Sequence, residues 1–91
     1  MKQGRQYMIE LQDQCVKISD EKLLELANNI DAVVGNLLFY SFKNSASYET
    51  VERREARQGR VVALSRNVFY IRRRRYLDSI QRYLTDTVAS V

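Results

Sequence analysis

The residues best suited to chemistry form a short run in which arginines are enclosed by aromatic side chains. Four consecutive arginines at positions 72–75 lie between two tyrosines in the stretch VFYIRRRRYL. Guanidinium groups pair with phosphate oxygens, and tyrosine rings stack on unpaired bases, so the run indicates a nucleic-acid-binding surface. The residues predicted for that surface are Arg66, Tyr70, Arg72, Arg73, Arg74, Arg75 and Tyr76.

The same arginines also fit a protein that binds no nucleic acid. Four successive side chains on a helix point in four directions, so they cannot all face one groove. Arg73 can lay its stem over a core, and Arg72 and Arg75 can pair with carboxylates of a neighbouring helix. No named nucleic-acid-binding motif matches the chain. The acidic candidates for pairing are Glu21, Glu25 and Asp31.

The positive charge of the chain belongs to its second half. The formal charge is +4; residues 49–91 carry ten arginines and five acidic groups, whereas residues 1–48 carry five basic and six acidic groups. Such asymmetry permits an anionic partner without requiring one.

The chain lacks the residues on which catalysis and metal binding usually depend. It has no histidine, the most common acid–base group and metal ligand. Cys15 is the only cysteine and fits a small buried side chain better than a nucleophile. Glu49, Glu52 and Glu55 share a helical side, but interleaved arginines favour a solvated ion-pair face over a metal site. We predict a non-enzymatic protein with no catalytic residue, metal or cofactor.

The strongest apolar pattern lies in residues 23–42 and predicts a helix that needs a partner. Its apolar residues follow one another at spacings of 3, 4, 3, 4 and 3, which is the heptad rhythm. We call them the heptad seam: Leu23, Leu26, Ile30, Val33, Leu37 and Tyr40. Ile80 and Leu84 from the last segment complete the predicted protein interface.

These patterns together predict one all-α domain over residues 1–91. The predicted elements are a short helix over about 6–18, a long helix over about 20–43, a polar connector or exposed helix at 48–60 and an arginine-rich helical segment at 61–88. Ser19 or Asp20 fits the N-cap of the long helix, and Ser47 or Thr50 fits that of the next. We expect a helical hairpin or a small three-helix bundle, completed by dimerisation.

The last third offers two apolar blocks that one straight helix cannot turn toward the same neighbour. Val61, Leu64, Val68 and Ile71 share one helical face, and the block from Tyr76 to Leu84 lies roughly 130° away. A β-hairpin over 61–71 is the alternative, but apolar and polar residues do not alternate cleanly there. One copy of the chain has too little apolar surface to cover both blocks and the heptad seam, which predicts self-association as a two-fold dimer.

A single cysteine and the absence of a secretory signal or a long apolar stretch predict an intracellular, cytoplasmic protein without membrane contact. The function that these features favour is a helical oligomerisation or adaptor module that binds protein through its heptad seam. The alternative is a small nucleic-acid-binding regulator that uses the arginine run.

Overall fold

All regular structure in the described chain is helical. The computed structural model describes residues 4–89, and the side chains of residues 6–15 and 17–86 within them. These residues form α1 (Gly4–Gln14), a 3-10 turn (Cys15–Lys17), α2 (Asp20–Ile30), α3 (Gly35–Asn44), α4 (Tyr48–Arg57) and α5 (Arg66–Ala89). The predicted all-α class is confirmed. The β-hairpin alternative over 61–71 is wrong, because α5 already begins at residue 66.

The long helix predicted over 20–43 is divided in two at Asp31. This residue leaves the helical conformation with φ −159° and ψ 107°. Its Oδ1 accepts the amides of Val33 at 3.0 Å and Val34 at 3.4 Å. A short carboxylate that bonds the amides following it competes with helix continuation. The prediction of one continuous helix is therefore wrong, although α2 begins and α3 ends close to the predicted limits.

The break lets α3 fold back along α2 in the antiparallel sense. At one end, Lys43 Nζ lies 2.9 Å from Asp20 Oδ1. At the other end, Gly35 approaches Asn28 so closely that a Cβ atom on Gly35 would lie 2.9 Å from the Asn28 Cα. Glycine permits this approach because it carries no side chain.

The flanking helices α1 and α4 are anchored on α5 by tyrosines. The Tyr7 hydroxyl of α1 donates to Asp78 Oδ1 at 3.1 Å. On α4, Tyr48 donates to the Leu64 carbonyl oxygen at 2.9 Å, and its ring packs on Phe69 at 5.4 Å between centroids. The segment predicted as a connector or exposed helix at 48–60 is helical only as far as residue 57.

Helix α5 is the element on which the other four helices pack. Its 24 residues span about 36 Å. Phe69, Tyr76, Leu77 and Ile80 are fully buried along one stripe of α5. The Tyr76 hydroxyl donates to the carbonyl oxygen of Leu23 in α2 at 2.9 Å. One continuous helix therefore contacts each of the other four.

The predicted apolar block at 61–71 does not share one helical face. The Ser65 hydroxyl accepts the amide of Val68 at 3.4 Å, and the Ser65 carbonyl accepts that of Phe69 at 2.8 Å, so α5 begins after Ser65. Val61 precedes the helix and is 91% exposed, and Ile71 is 54% exposed. Phe69 is buried in their place. The expectation that residues 61–71 form one apolar helical face is wrong for this reason.

The buried Tyr76 predicts a loss of stability in alkaline solution. Burial raises the pKa of its phenol above the ordinary value of 10.0. Since only the unfolded chain ionises readily, stability is complete below pH 10 and falls as the pH rises beyond that value. Urea unfolding at neutral pH and at about pH 11 measures the fall. Tyr76→Phe should show a smaller fall than the wild type; equal falls would contradict this role of Tyr76.

Candidate interaction surface

The predicted heptad interface lies mostly inside the protein. Three of its members are buried, namely Leu23, Leu37 and Ile80. Four more are partly buried against the same core, namely Leu26, Ile30, Tyr40 and Leu84. Of the eight, Val33 alone is exposed, at 76%. Because α3 folds back on α2, both halves of the seam line one core.

A single copy therefore covers most of the apolar surface that was expected to need a partner. The shortage of internal cover inferred from the sequence is not present in the fold, since α2, α3 and α5 cover one another. Self-association remains a prediction, but the seam no longer supports it. If two copies associate, a different surface must mediate the contact.

The arginine run is divided among different neighbours. Arg72 Nε lies 3.6 Å from Asp31 Oδ2, which is a pairing that the sequence indicated. Arg74 Nε lies 3.4 Å from Asp78 Oδ1, and its guanidinium lies 4.8 Å from the Tyr7 ring centroid. The charges of both arginines are therefore paired with carboxylates of the same chain.

The aromatic residues of the predicted nucleic-acid surface are also engaged. Tyr76 is fully buried, so its ring cannot stack on a base. Tyr70 accepts the amide of Tyr48 at 3.0 Å, and its ring contacts the guanidinium groups of Arg66 and Arg73 at 5.4 and 4.7 Å. The seven predicted residues therefore do not all share one exposed surface, although Arg66, Tyr70 and Arg73 lie together.

Among the predicted basic residues, Arg75 is the most available. Arg66 Nε lies 2.7 Å from Glu49 Oε1, whereas Arg75 is exposed and has no ion-pair partner within the described residues. Arg82 lies two helical turns further along α5 and is likewise exposed without such a partner among those residues. A surface for nucleic acid would have to be built from exposed arginines such as these rather than from the whole run.

Two strongly exposed apolar side chains line one groove on a different part of the surface. Val33 and Val61 meet there, where the α2–α3 loop lies beside the segment that follows α4. The groove has a volume of about 140 Å³. We call it the Val33–Val61 surface, and its lining residues are Val33, Val34, Asn36, Leu37, Glu55, Arg60, Val61 and Ala63.

Beside this groove, the buried carboxylate of Glu55 binds two exposed arginine side chains. The carboxylate of Glu55, a residue only 2% exposed, accepts from Arg60 Nε and from Arg54 Nη1, the latter at 3.3 Å. The Arg60 amide also donates to the Glu55 carbonyl at 2.9 Å. These bonds fix the chain after α4 and leave Val61 pointing outward. The prediction that Glu55 lies on a solvated face is wrong, because Glu55 shares the buried side of α4 with Val51.

The lone thiol lies in a separate cleft of about 430 Å³, whose lining includes Asp20 and Lys43. Cys15 is buried there, as predicted. Burial raises the pKa of the Cys15 thiol, and the nearby Lys43 ammonium opposes that rise only in part. A raised pKa leaves little thiolate at neutral pH, which disfavours a nucleophilic role.

Comparison of the chain with protein-family models, curated proteins and solved structures found no match. Within residues 4–89, no helix has the length and apolar character needed to cross a membrane. The same residues contain no group of three histidine, cysteine, aspartate or glutamate side chains arranged to hold a metal ion. Function is therefore inferred from the surface of the described residues.

Proposed function

We propose that this protein is a non-enzymatic helical module that binds protein through the Val33–Val61 surface, with a second copy of the chain as the occupant. The observation that carries the proposal is the exposure of both valines in one groove. Burying an apolar side chain of this size contributes about 1.5–3 kcal/mol. A two-fold contact would bury both valines of both copies at once.

The charge of this surface suits contact with a copy of itself. Its lining contains one carboxylate and one guanidinium, those of Glu55 and Arg60, and otherwise uncharged side chains. A patch that is close to neutral can face itself without the like-charge repulsion that would disfavour an arginine-rich face. In a chain of formal charge +4, such a patch is where two copies can approach most closely.

Self-association through this surface predicts a concentration-dependent sedimentation coefficient. Replacing both valines, as Val33→Asp/Val61→Asp, should raise the dissociation constant by about 100-fold or more, because two apolar contacts are lost and two charges are added. Sedimentation velocity over a dilution series measures the change, and circular dichroism shows that the variant still folds.

The matched control is Ile71→Asp, which places the same charge on an exposed apolar position outside the groove. It should associate like the wild type. The proposal is overturned by a wild-type chain that stays monomeric at all concentrations, or by a double variant that associates as strongly as the wild type.

Nucleic-acid binding, the alternative function, has less support. Arg72 and Arg74 are paired with carboxylates of the same chain, and the Tyr76 ring is buried. The support that remains is the basic second half of the chain, in which Arg53, Arg57, Arg75 and Arg82 are exposed without an ion pair among the described residues. Of these, only Arg75 belongs to the predicted run, which therefore supplies little of the phosphate contact on which such affinity depends.

A further inference from the structure

A pocket of about 300 Å³ lies where α1, α4, α5 and the turn after α3 meet. Its lining residues are Met8, Ser45, Ser47, Thr50, Tyr70 and Arg73, none of which belongs to the Val33–Val61 surface. The lining is therefore rich in hydroxyl groups and contains one cation but no carboxylate. Its volume is at the lower end of the range for small-molecule sites.

Arg73 is a partly buried cation without a counter-charge. Its Nη1 donates over long distances, 3.3 Å to Ser41 Oγ and 3.5 Å to the Ala46 carbonyl oxygen. No carboxylate lies within ion-pair distance of Arg73 among the described residues, and its Nε and Nη2 have no acceptor there. Burial lowers the pKa of this guanidinium, which reflects the cost of keeping the charge. An anion in the pocket would reduce that cost.

Two hydroxyl groups in the lining have protons available for the same anion. Tyr70 accepts the Tyr48 amide at 3.0 Å, and Ser45 Oγ accepts Gln12 Nε2 at 2.9 Å. Each hydroxyl uses a lone pair in that bond, and its own proton has no acceptor within the described chain. The nearby carboxylate of Glu49, which bonds Ser47, is already neutralised by Arg66.

We propose that this pocket binds a phosphate group, either free phosphate or the terminal phosphate of a small organic ester, with Arg73, Tyr70 and Ser45 as donors. A guanidinium fork matches two phosphate oxygens, and the hydroxyl protons can reach a third. Phosphate suits this set better than a carboxylate because it offers three terminal oxygens. The proposal is independent of association through the Val33–Val61 surface.

The test is a titration followed by amide and arginine Nε–H resonances in ¹H–¹⁵N spectra, at constant ionic strength. Inorganic phosphate and glycerol 3-phosphate are the two probes, each taken to about 10 mM, where even millimolar affinity is visible. Shifts should concentrate at Ser45, Ser47, Thr50 and the Arg73 side chain. Equal affinity for both probes would indicate free phosphate, and tighter binding of glycerol 3-phosphate would indicate an ester.

Three variants make the test specific. Arg73→Gln should weaken binding about tenfold or more, since a charged hydrogen-bond donor is lost. Ser45→Gly should weaken phosphate binding several-fold. Glycine suits the left-handed backbone of this residue, whose φ is 51°. This variant therefore replaces Arg73→Gln in the test if Arg73→Gln fails to fold. Arg75→Gln removes the same charge outside the pocket and should leave binding within twofold. The proposal is overturned if neither probe shifts these resonances, or if Arg75→Gln weakens binding as much as Arg73→Gln does.

Discussion

Replacing Phe69 with alanine is expected to lower the free energy of unfolding by about 3–5 kcal/mol. The Phe69 ring is fully buried where α4 meets α5, 5.4 Å from the ring of Tyr48 and 5.6 Å from that of Tyr70. Truncation leaves a cavity that these rings cannot fill, because each is held by a hydrogen bond. Urea unfolding measures the loss.

The control for this prediction is Ile71→Ala on the same helix. Ile71 is an equally apolar residue two positions along, but about half of its surface is exposed. Its truncation should change the free energy of unfolding by no more than about 0.5 kcal/mol. Similar losses for the two variants would mean that the face of α5 turned toward the core is assigned wrongly.

Replacing Leu23 with alanine is expected to cost about 2–5 kcal/mol, independently of protein concentration. Leu23 belongs to the heptad seam, and it is 1% exposed because α5 covers it. Its contacts are therefore made within one copy of the chain. Thermal or urea unfolding at low and high protein concentration separates this result from the loss of a subunit interface.

Val33→Ala is the matched variant, since Val33 belongs to the same seam but is exposed. It should leave unfolding at low protein concentration almost unchanged. If Leu23→Ala proves too unstable to study, Leu23→Met should cost less than about 1.5 kcal/mol while keeping the same comparison. A Leu23 effect that appears only at high concentration would show that the seam joins two copies and would contradict the fold described above.

Local signals in the sequence were sufficient to predict the fold class and several contacts. Heptad spacing and the absence of proline identified a helical chain. Ser19 and Ser47 cap α2 and α4, each with its side chain bonded to the amide three residues on. Arg72 pairs with Asp31, one of the three acidic residues that the sequence offered as its partners.

The helix boundaries are set by residues that interrupt a helix, and these residues stand inside an apolar pattern that favours a continuous one. Asp31 stops α2 by bonding the next amides, and Gly35 admits the close return of α3. Both residues were visible in the sequence, but the uninterrupted heptad spacing outweighed them. The start of α5 was predicted too early for the same reason. Ser65 caps the helix, and Val61 lies outside it. A break changes which side chains face each other, so the interface prediction failed with it.

The candidate site depends on contacts between segments that are distant in sequence. Val33 and Val61 come together only because the Glu55–Arg60 pair fixes the chain after α4 next to the α2–α3 loop. No local pattern indicates that Glu55 is buried, since arginines surround it in the sequence. Exposed valines in one groove are a property of the assembled fold.

We propose that Val33 and Val61 mediate association, and that the buried members of the heptad seam, such as Leu23, do not. Amide chemical shifts of the wild-type chain, recorded in ¹H–¹⁵N spectra over a dilution series, test it most directly. We predict concentration-dependent shifts concentrated at Val33, Asn36, Val61 and Ala63, with Leu23 and Ile80 unchanged. Shifts centred on Ile71 and Arg75, or no shifts at any concentration, would contradict it.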